Sequence, residues 1–225
     1  MIKEKLKELF FPSKCVLCGK VLKEQTDLCH SCRSETEEFT KSKKKISFVA
    51  GWRSLWYYTD KVRHSIILYK FYNRRSYGKI YGRLLAMQLK TSPLCEYDLL
   101  TWVPVSSLRR WRRGYDQAEL IAVSVGQELE TPATALLKKI RHTKPQSRLQ
   151  GIAQRKANVM GAFAVTDPTL VRNKRILLID DILTTGATVS ECSRVLLTAG
   201  AKEVYCAFIG ASDYQNNVKH KTQVN

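Results

Sequence analysis

No run in this sequence approaches the ~18 consecutive apolar residues that a membrane-spanning helix needs, so it does not read as an integral membrane protein. Its first eleven residues mix Lys and Glu with Leu and Phe, without the basic-then-apolar order of a secretory signal. Internal repeats and low-complexity tracts are absent, which excludes solenoids and arrays. Acids are scarce: 20 Asp and Glu face 38 Lys and Arg, a net charge of +18. Such an excess gathers polyanions, of which phosphate backbones are the commonest. Charge alone fits nucleic-acid binding, weak anion binding, or attachment to ribosomes or anionic membranes equally well. The cysteines number seven, and an odd count without a secretory signal points to a reducing, cytoplasmic setting.

What is present suffices for a packed core, since 44% of residues are apolar. Residues 1–12 have Ile2, Leu6, Leu9 and Phe10 at helical spacing. Residues 34–45 are polar and charged, and read as a linker. An aromatic-rich, strand-like run over 49–58 begins a second unit, followed by helical patterns at 61–70 and 77–89. Apolar runs at 99–105, 135–140, 162–166, 175–179 and 204–209 then alternate with helices at 117–129 and 188–199. Strands too apolar to expose either face, separated by helices, imply an α/β domain with a mostly parallel sheet covered on both sides. Ligands in such folds bind beyond the strand C-termini. The isolated Cys95, Cys192 and Cys206 sit in apolar surroundings and read as small core residues.

The other four cysteines form two knuckles, Cys15-Val-Leu-Cys18-Gly and Cys29-His-Ser-Cys32, ten residues apart. Two residues between thiolates let both reach one tetrahedral ion, and two knuckles close a four-sulfur site with no open position. A structural zinc follows; redox-active pairs or free thiols are the alternative, and a redox pair needs no second knuckle. Metal binding would then supply the stability that so short a segment lacks, and loss of metal is expected to leave the sheet largely intact.

The strongest signal is Arg175-Ile-Leu-Leu-Ile-Asp180-Asp181-Ile-Leu-Thr184-Thr185-Gly186-Ala187-Thr188. An apolar strand runs into two carboxylates, and a hydroxyl-rich loop then opens a helix. Backbone N–H groups and hydroxyls at a helix N-terminus suit a phosphate monoester, and Gly186 lets the backbone come close. The acids cannot bind that phosphate, but can accept from sugar hydroxyls or position a cation-bound ligand. Together they suggest a sugar phosphate.

This segment resembles the 5-phosphoribosyl-1-pyrophosphate (PRPP) motif of type I phosphoribosyltransferases. Two further stretches narrow the resemblance. One is Val103-Pro104-Val105-Ser106-Ser107-Leu108-Arg109 with Arg112-Arg113-Gly114-Tyr115-Asp116-Gln117-Ala118; the other is Arg141-His142-Thr143-Lys144-Pro145-Gln146-Ser147-Arg148-Leu149, leading to Gly161-Ala162-Phe163. With the cysteine knuckles first and the acid pair last, the chain resembles the ComF competence family over about residues 12 to 210. Members often carry a second pair of knuckles, but no cysteine lies between Cys32 and Cys95 here, so one zinc is expected.

The resemblance implies a type I phosphoribosyltransferase-like domain over residues 46–212, a zinc-binding module with its linker over 1–45, and a polar tail over 213–225. It implies that Asp180 and Asp181 face the ribose hydroxyls, and that Thr184, Thr185, Gly186, Ala187 and Thr188 cradle the 5-phosphate. Val105, Ser106, Ser107 and Arg109 would form a pyrophosphate loop, with Mg²⁺ accompanying PRPP. Arg141, Lys144, Arg148 and Arg155 would lie on a mobile loop that closes over the site. In function it implies handling of imported single-stranded DNA in the cytoplasm during natural transformation, beside a helicase-like ATPase, ComFA. Arg109, Arg110, Arg112 and Arg113 would contact DNA, and the aromatics Trp52, Trp56, Tyr57, Tyr58, Phe71 and Tyr72 are either stacking platforms or core. The alternative is a phosphoribosyltransferase of nucleobase salvage, a glycosyltransferase, although no purine-specificity segment follows Ile209. Whether PRPP is turned over or only bound stays open at this point.

Overall fold

The computed structural model describes residues 13–23, 26–40, 42–92, 94, 96–144, 149 and 151–212. The expected helix over 1–12, Cys95, Arg148 and the polar tail lie outside the described residues. Four strands, β1 (Gly51–Tyr57), β2 (Leu99–Trp102), β5 (Arg175–Leu183) and β6 (Glu203–Ala211), form one sheet in the order β1-β6-β5-β2, every neighbouring pair parallel. The central strands alternate between two cores, as the period of two requires. Leu177 and Ile179 of β5 and Ala207 and Ile209 of β6 face one; Ile176, Leu178, Val204, Cys206 and Phe208 face the other. Helices α3 (Ser76–Lys90) and α5 (Gln117–Glu128) cover the first face, and α8 (Ala187–Thr198) covers the second.

Two expected strands do not join this sheet. Residues 135–140 and 162–166 yield β3 (Leu137–Lys139) and β4 (Phe163–Val165), an antiparallel hairpin packed over the second face. The chain before β3 still leans on the free edge of β2: Thr134 N–H donates to the Leu100 carbonyl at 2.8 Å. The run at 99–105 stops as a strand at Trp102, two residues before Pro104, which has no N–H for a ladder. The run at 175–179 instead continues to Leu183, because β6 is long enough to pair Asp180 with Phe208 and Leu183 with Ala211.

The N-terminal module is not a separate body. Cys15, Val16, Leu17 and Cys32 are buried in the same core as Leu55, Trp56, Ile66, Tyr69 and Tyr81. Helix α1 (His30–Glu35) and helix α2 (Asp60–Phe71) are tied by an ion pair between Glu35 and Lys61, and Ser65 of α2 donates to the Val16 carbonyl. Arg83 of α3 pairs with Asp27 between the knuckles. Segment 34–45, expected as a polar linker, is partly structural. Phe39 N–H donates to the Leu55 carbonyl at 3.1 Å, and Tyr57 N–H to the Glu37 carbonyl at 3.3 Å. Phe39 is buried against Trp52 and Tyr57, with ring centroids 4.9 and 4.8 Å away. This covers the free edge of β1, which would otherwise template foreign strands.

The expectation that the module and the sheet have separate stabilities therefore gives way to a shared core. Removal of the metal should lower one cooperative unfolding transition of the described fold, because Val16 and Leu17 are part of what α2 and α3 bury. Calorimetry with and without chelator checks this; two separate transitions would contradict it. A second outcome concerns the α3–α5 contact. A Cβ on Gly82 would lie 2.6 Å from Ser124 Oγ and 2.8 Å from the Ile121 carbonyl oxygen. Gly82→Ala should cost about 1–3 kcal/mol through overpacking, read as a lower denaturant midpoint.

Candidate functional site

Strands β2 and β5 are neighbours, with Trp102 opposite Ile179, so the segments that follow them emerge side by side. Val103 N–H donates to the Ile179 carbonyl at 2.9 Å and extends that pairing to the edge of the cleft. From β5 come the two carboxylates. Asp180 is half-buried and its carboxylate accepts from the Asp181 N–H at 2.8 Å. Burial pushes its pKa well above the usual carboxylate range, the charge of Asp181 adds to this, and the Lys70 ammonium opposes it. Asp181 is held by Lys70, from the last turn of α2, through both oxygens at 2.8 and 2.9 Å. Lys70 is thus the counter-charge of the acid pair, a role that its place among aromatics did not suggest.

Beyond Leu183 the chain turns into α8. Gly186 sits at φ +82°, in the left-handed region that favours glycine, and a Cβ there would press within 3.3 Å of Ile46. Thr184, Thr185, Gly186, Ala187 and Thr188 thus form a tight strand-to-helix turn with three hydroxyl side chains at the start of a twelve-residue helix. That geometry suits an anion with several oxygens, through hydroxyls, backbone donors and helix dipole.

The neighbouring loop is fixed by Asp116. Its carboxylate caps α5, accepting from Ala118 N–H at 3.1 Å and Glu119 N–H at 3.4 Å, and reaches across to Val105 N–H at 2.8 Å. Burial pushes Asp116 up to about 6, against the pull of those three donors. Among the described residues Ser106 Oγ is a buried hydroxyl without a hydrogen-bond partner, as are Thr36 Oγ1 and Ser193 Oγ. Ser107 begins α4 (Ser107–Arg113).

The cations divide. Arg109 is half-buried and donates to the Thr143 carbonyl at 3.1 Å, tying α4 to the loop after β3. Burial, and then the Arg113 charge, lower its pKa. Arg141 donates to the Asn158 and Met160 carbonyls at 3.0 and 2.7 Å, Arg155 donates to the Leu149 carbonyl at 3.2 Å, and the Lys144 backbone is bracketed by the Asn158 amide. These bonds fasten the described parts of the segment between β3 and β4 to one another. Arg110 pairs with Glu119 at 3.2 Å, Arg112 is exposed, and Arg113 donates to Gln117 at 2.7 Å while lying 4.9 Å over the Phe71 ring.

One cleft residue was not anticipated. Lys139, on β3, is half-buried, 5.0 Å over the Phe163 ring. Burial holds it down to about 8, Arg109 and Arg141 push the same way, and Asp180 and the Cys192 thiol oppose them. The strand alternation of Lys138 and Lys139 was the available signal, since one of the two must face inward.

Of the six aromatics, Trp56 is buried beside Tyr81, and Trp52 packs on Phe39 and Phe208. Phe71 and Tyr72 are exposed at 64% and 65%, and Trp111, which the sequence reading passed over, is 80% exposed.

The four thiols of Cys15, Cys18, Cys29 and Cys32 lie within 4.8 Å of one another, and Cys18 and Cys29 sulfurs are 3.7 Å apart. A tetrahedral zinc with bonds of about 2.3 Å places its sulfurs roughly 3.8 Å apart, so the set fits that ion.

Family comparison agrees with both halves. Residues 6–43 match the double zinc ribbon domain and residues 116–223 the phosphoribosyl transferase domain. Competence protein F of Haemophilus influenzae is 27% identical over 84% of this chain and 81% of its own length. DNA utilization protein YhgH of Escherichia coli K12 is 27% identical over 85% of this chain and 88% of its own, and competence protein ComFC of Streptococcus pneumoniae 27% over 85% and 96%. Among solved structures, glutamine phosphoribosylpyrophosphate amidotransferase from B. subtilis superposes with a TM-score of 0.40 at 25% identity, over 60% of this chain and 26% of that one. This chain spans about a quarter of that structure's length.

Lys139 yields a pH dependence. Its folded pKa, about 8, lies below its ordinary 10.5, so the ammonium carries a burial penalty that is full below pH 8 and is relieved as pH rises towards 10.5. Its charge in the folded protein disappears around pH 8. Affinity for sulfate, whose own charge is constant there, should fall as pH rises through about 8, and Lys139→Gln should flatten that fall in a calorimetric titration.

Proposed function

We propose that this chain, a phosphoribosyl transferase domain behind a zinc ribbon, is a member of the ComF family, and that it binds PRPP at the end of β5 and single-stranded DNA on the adjoining arginine-rich face. One observation carries the reading: two half-buried carboxylates and a hydroxyl-rich, N–H-rich turn on one strand end, Asp180 and Asp181 against residues 184–188. A sugar 5-phosphate has the complementary order, with an anion at one end and a vicinal diol beside it. The turn takes the phosphate. Asp180 and Asp181 accept from the ribose hydroxyls, and those donors ease the desolvation that raises Asp180. Val105, Ser106 and Ser107, fixed by Asp116, face the pyrophosphate, with the unpartnered Ser106 hydroxyl as a donor. Mg²⁺, bound with PRPP, supplies neutralisation of the pyrophosphate charge. Should the glycosidic bond ionise, the same acid pair lies beside the carbon that gains positive charge.

For DNA the supporting features are charge and exposed rings. Phe71, Tyr72 and Trp111 stand clear of the core, and Arg74, Arg112 and Arg113 accompany them. Rings stack on bases whatever the sequence, and guanidinium groups follow the phosphates. Arg109 belongs to the cleft in this reading, because its guanidinium is spent on Thr143. The names competence protein and DNA utilization protein, borne by relatives, support a role with DNA; in this reading the role is cytoplasmic, on imported single strands, with a helicase-like ATPase such as ComFA as partner.

Two measurements test the pair of claims. Asp180→Asn with Asp181→Asn should abolish PRPP binding in Mg²⁺-containing buffer while the fold persists; unchanged affinity would overturn the ligand. For single strands, log affinity should fall with log salt by about 0.7 per phosphate neutralised. Arg112→Glu with Arg113→Glu should flatten that slope, whereas Trp111→Ala should weaken binding by about 1–3 kcal/mol per lost stack at unchanged slope. Robust turnover of a free nucleobase with PRPP, without DNA affinity at moderate salt, would replace this reading by a salvage transferase.

A further inference from the structure

We propose that Lys44 is an anion ligand of the loop over 184–188, and that the chain leaving the zinc ribbon forms that loop's outer wall, so that metal occupancy and phosphate binding are linked. The inference rests on the reading of that loop as a phosphate site.

The Lys44 ammonium donates to the Thr184 carbonyl, 140 residues away in sequence. Its backbone is anchored on both sides: the Trp52 indole donates to its carbonyl at 2.9 Å, and its own N–H donates to Ser42 Oγ at 3.0 Å. Two residues on, Ile46 is buried and sits where a side chain on Gly186 would go, 3.3 and 3.5 Å from that position. The segment therefore touches the loop with a charge at its first residue and an apolar wall at its third.

Upstream, the chain is fastened between Cys32 and Phe39. Thr36 N–H closes α1 on the carbonyl of the metal ligand Cys32 at 3.1 Å, Glu37 and Phe39 hydrogen-bond along β1, and Phe39 is buried. The ribbon's end is thus fastened at Phe39, five residues before Lys44, and Lys44 in turn by the Trp52 indole, so both ends of this stretch are held on the β1 side of the fold.

The chemistry of the contact favours a switch of partner. An ammonium on a neutral carbonyl is satisfied, and held at the mouth of a turn that presents hydroxyls and a helix N-terminus. A phosphate dianion in that turn is a stronger partner for the same ammonium, since it adds attraction between opposite charges to the hydrogen bond that a neutral carbonyl offers, and a four-carbon stem lets the head move without the backbone. Lys44 thus stabilises the empty loop and contributes charge to the filled one. By reciprocity, whatever the metal adds to phosphate affinity, phosphate adds to metal retention by the same factor.

The test uses the zinc-loaded protein and ribose 5-phosphate. Lys44→Gln keeps a donor for the Thr184 carbonyl but carries no charge; it should lose about tenfold in affinity and lose part of the salt dependence, whereas Lys44→Arg should retain most of both. Saturating ribose 5-phosphate should slow zinc release to a chromogenic chelator in the wild type and slow it less in Lys44→Gln. Equal affinity of Lys44→Gln and wild type would overturn the ligand role. Unchanged zinc release in the wild type would overturn the linkage. If the wild type binds no ribose 5-phosphate at all, the phosphate reading of the loop fails instead, which keeps the two failures distinguishable.

Discussion

Two carboxylates follow four residues sealed from water in β5, and offsetting their charge is the constraint on which the rest of this molecule hangs. Ile176, Leu177, Leu178 and Ile179 have no exposed surface, and Asp180 and Asp181 follow within the same strand, Asp180 opposite Phe208 of β6. Adjacent acids at such a place repel each other and lose hydration. The compensation comes from Lys70, which reaches in from α2 to Asp181, while Lys139 faces Asp180 from the hairpin on the other side of the sheet. Helix α2 is in turn pinned by Ser65 to the Val16 carbonyl between the cysteine ligands. The zinc ribbon, the helix, and the acid pair form one mechanical series.

The groups of the candidate site were legible wherever they are contiguous. The acid pair, the turn at Gly186 and the cysteine knuckles each place their functional groups within a few residues, so spacing alone reveals them. Lys70, Lys139 and Lys44 were not legible in those roles, because each acquires its meaning from a partner brought up by the fold, 111 and 140 residues away for Lys70 and Lys44. The element pattern was largely readable, since buried strands and one-sided helices leave strong periodicities. Its errors have local causes. Segment 34–45 looks like a linker because charges outnumber its apolar residues, yet Phe39 and Ile46 suffice to fasten it. The hairpin β3–β4 looks like two sheet strands because short apolar runs do not announce which sheet they join.

The arginine run of α4 shows how a helix sorts a uniform stretch of sequence. Residues 109–113 read as one basic block, but a turn of 3.6 residues points them apart. Arg109 reaches the Thr143 carbonyl, Arg110 finds Glu119, Arg113 lies over Phe71, and Arg112 and Trp111 face solvent. Total charge therefore overstates what any one surface offers a polyanion.

The strand order also governs how this chain can be made. Strand β1 forms early in the sequence, but its ladder partner is β6, with Gly51 opposite Tyr205 and Tyr57 opposite Ala211. During synthesis the ribbon and β1 leave the ribosome long before that partner exists, and more than half of the protein must be translated while one side of β1 has no neighbour in the sheet. Non-local pairing of this kind slows folding and leaves strand edges open to other chains. The Glu37–Phe39 segment, which is already present by then, occupies the opposite edge of β1, so the nascent chain waits with one edge bare instead of two.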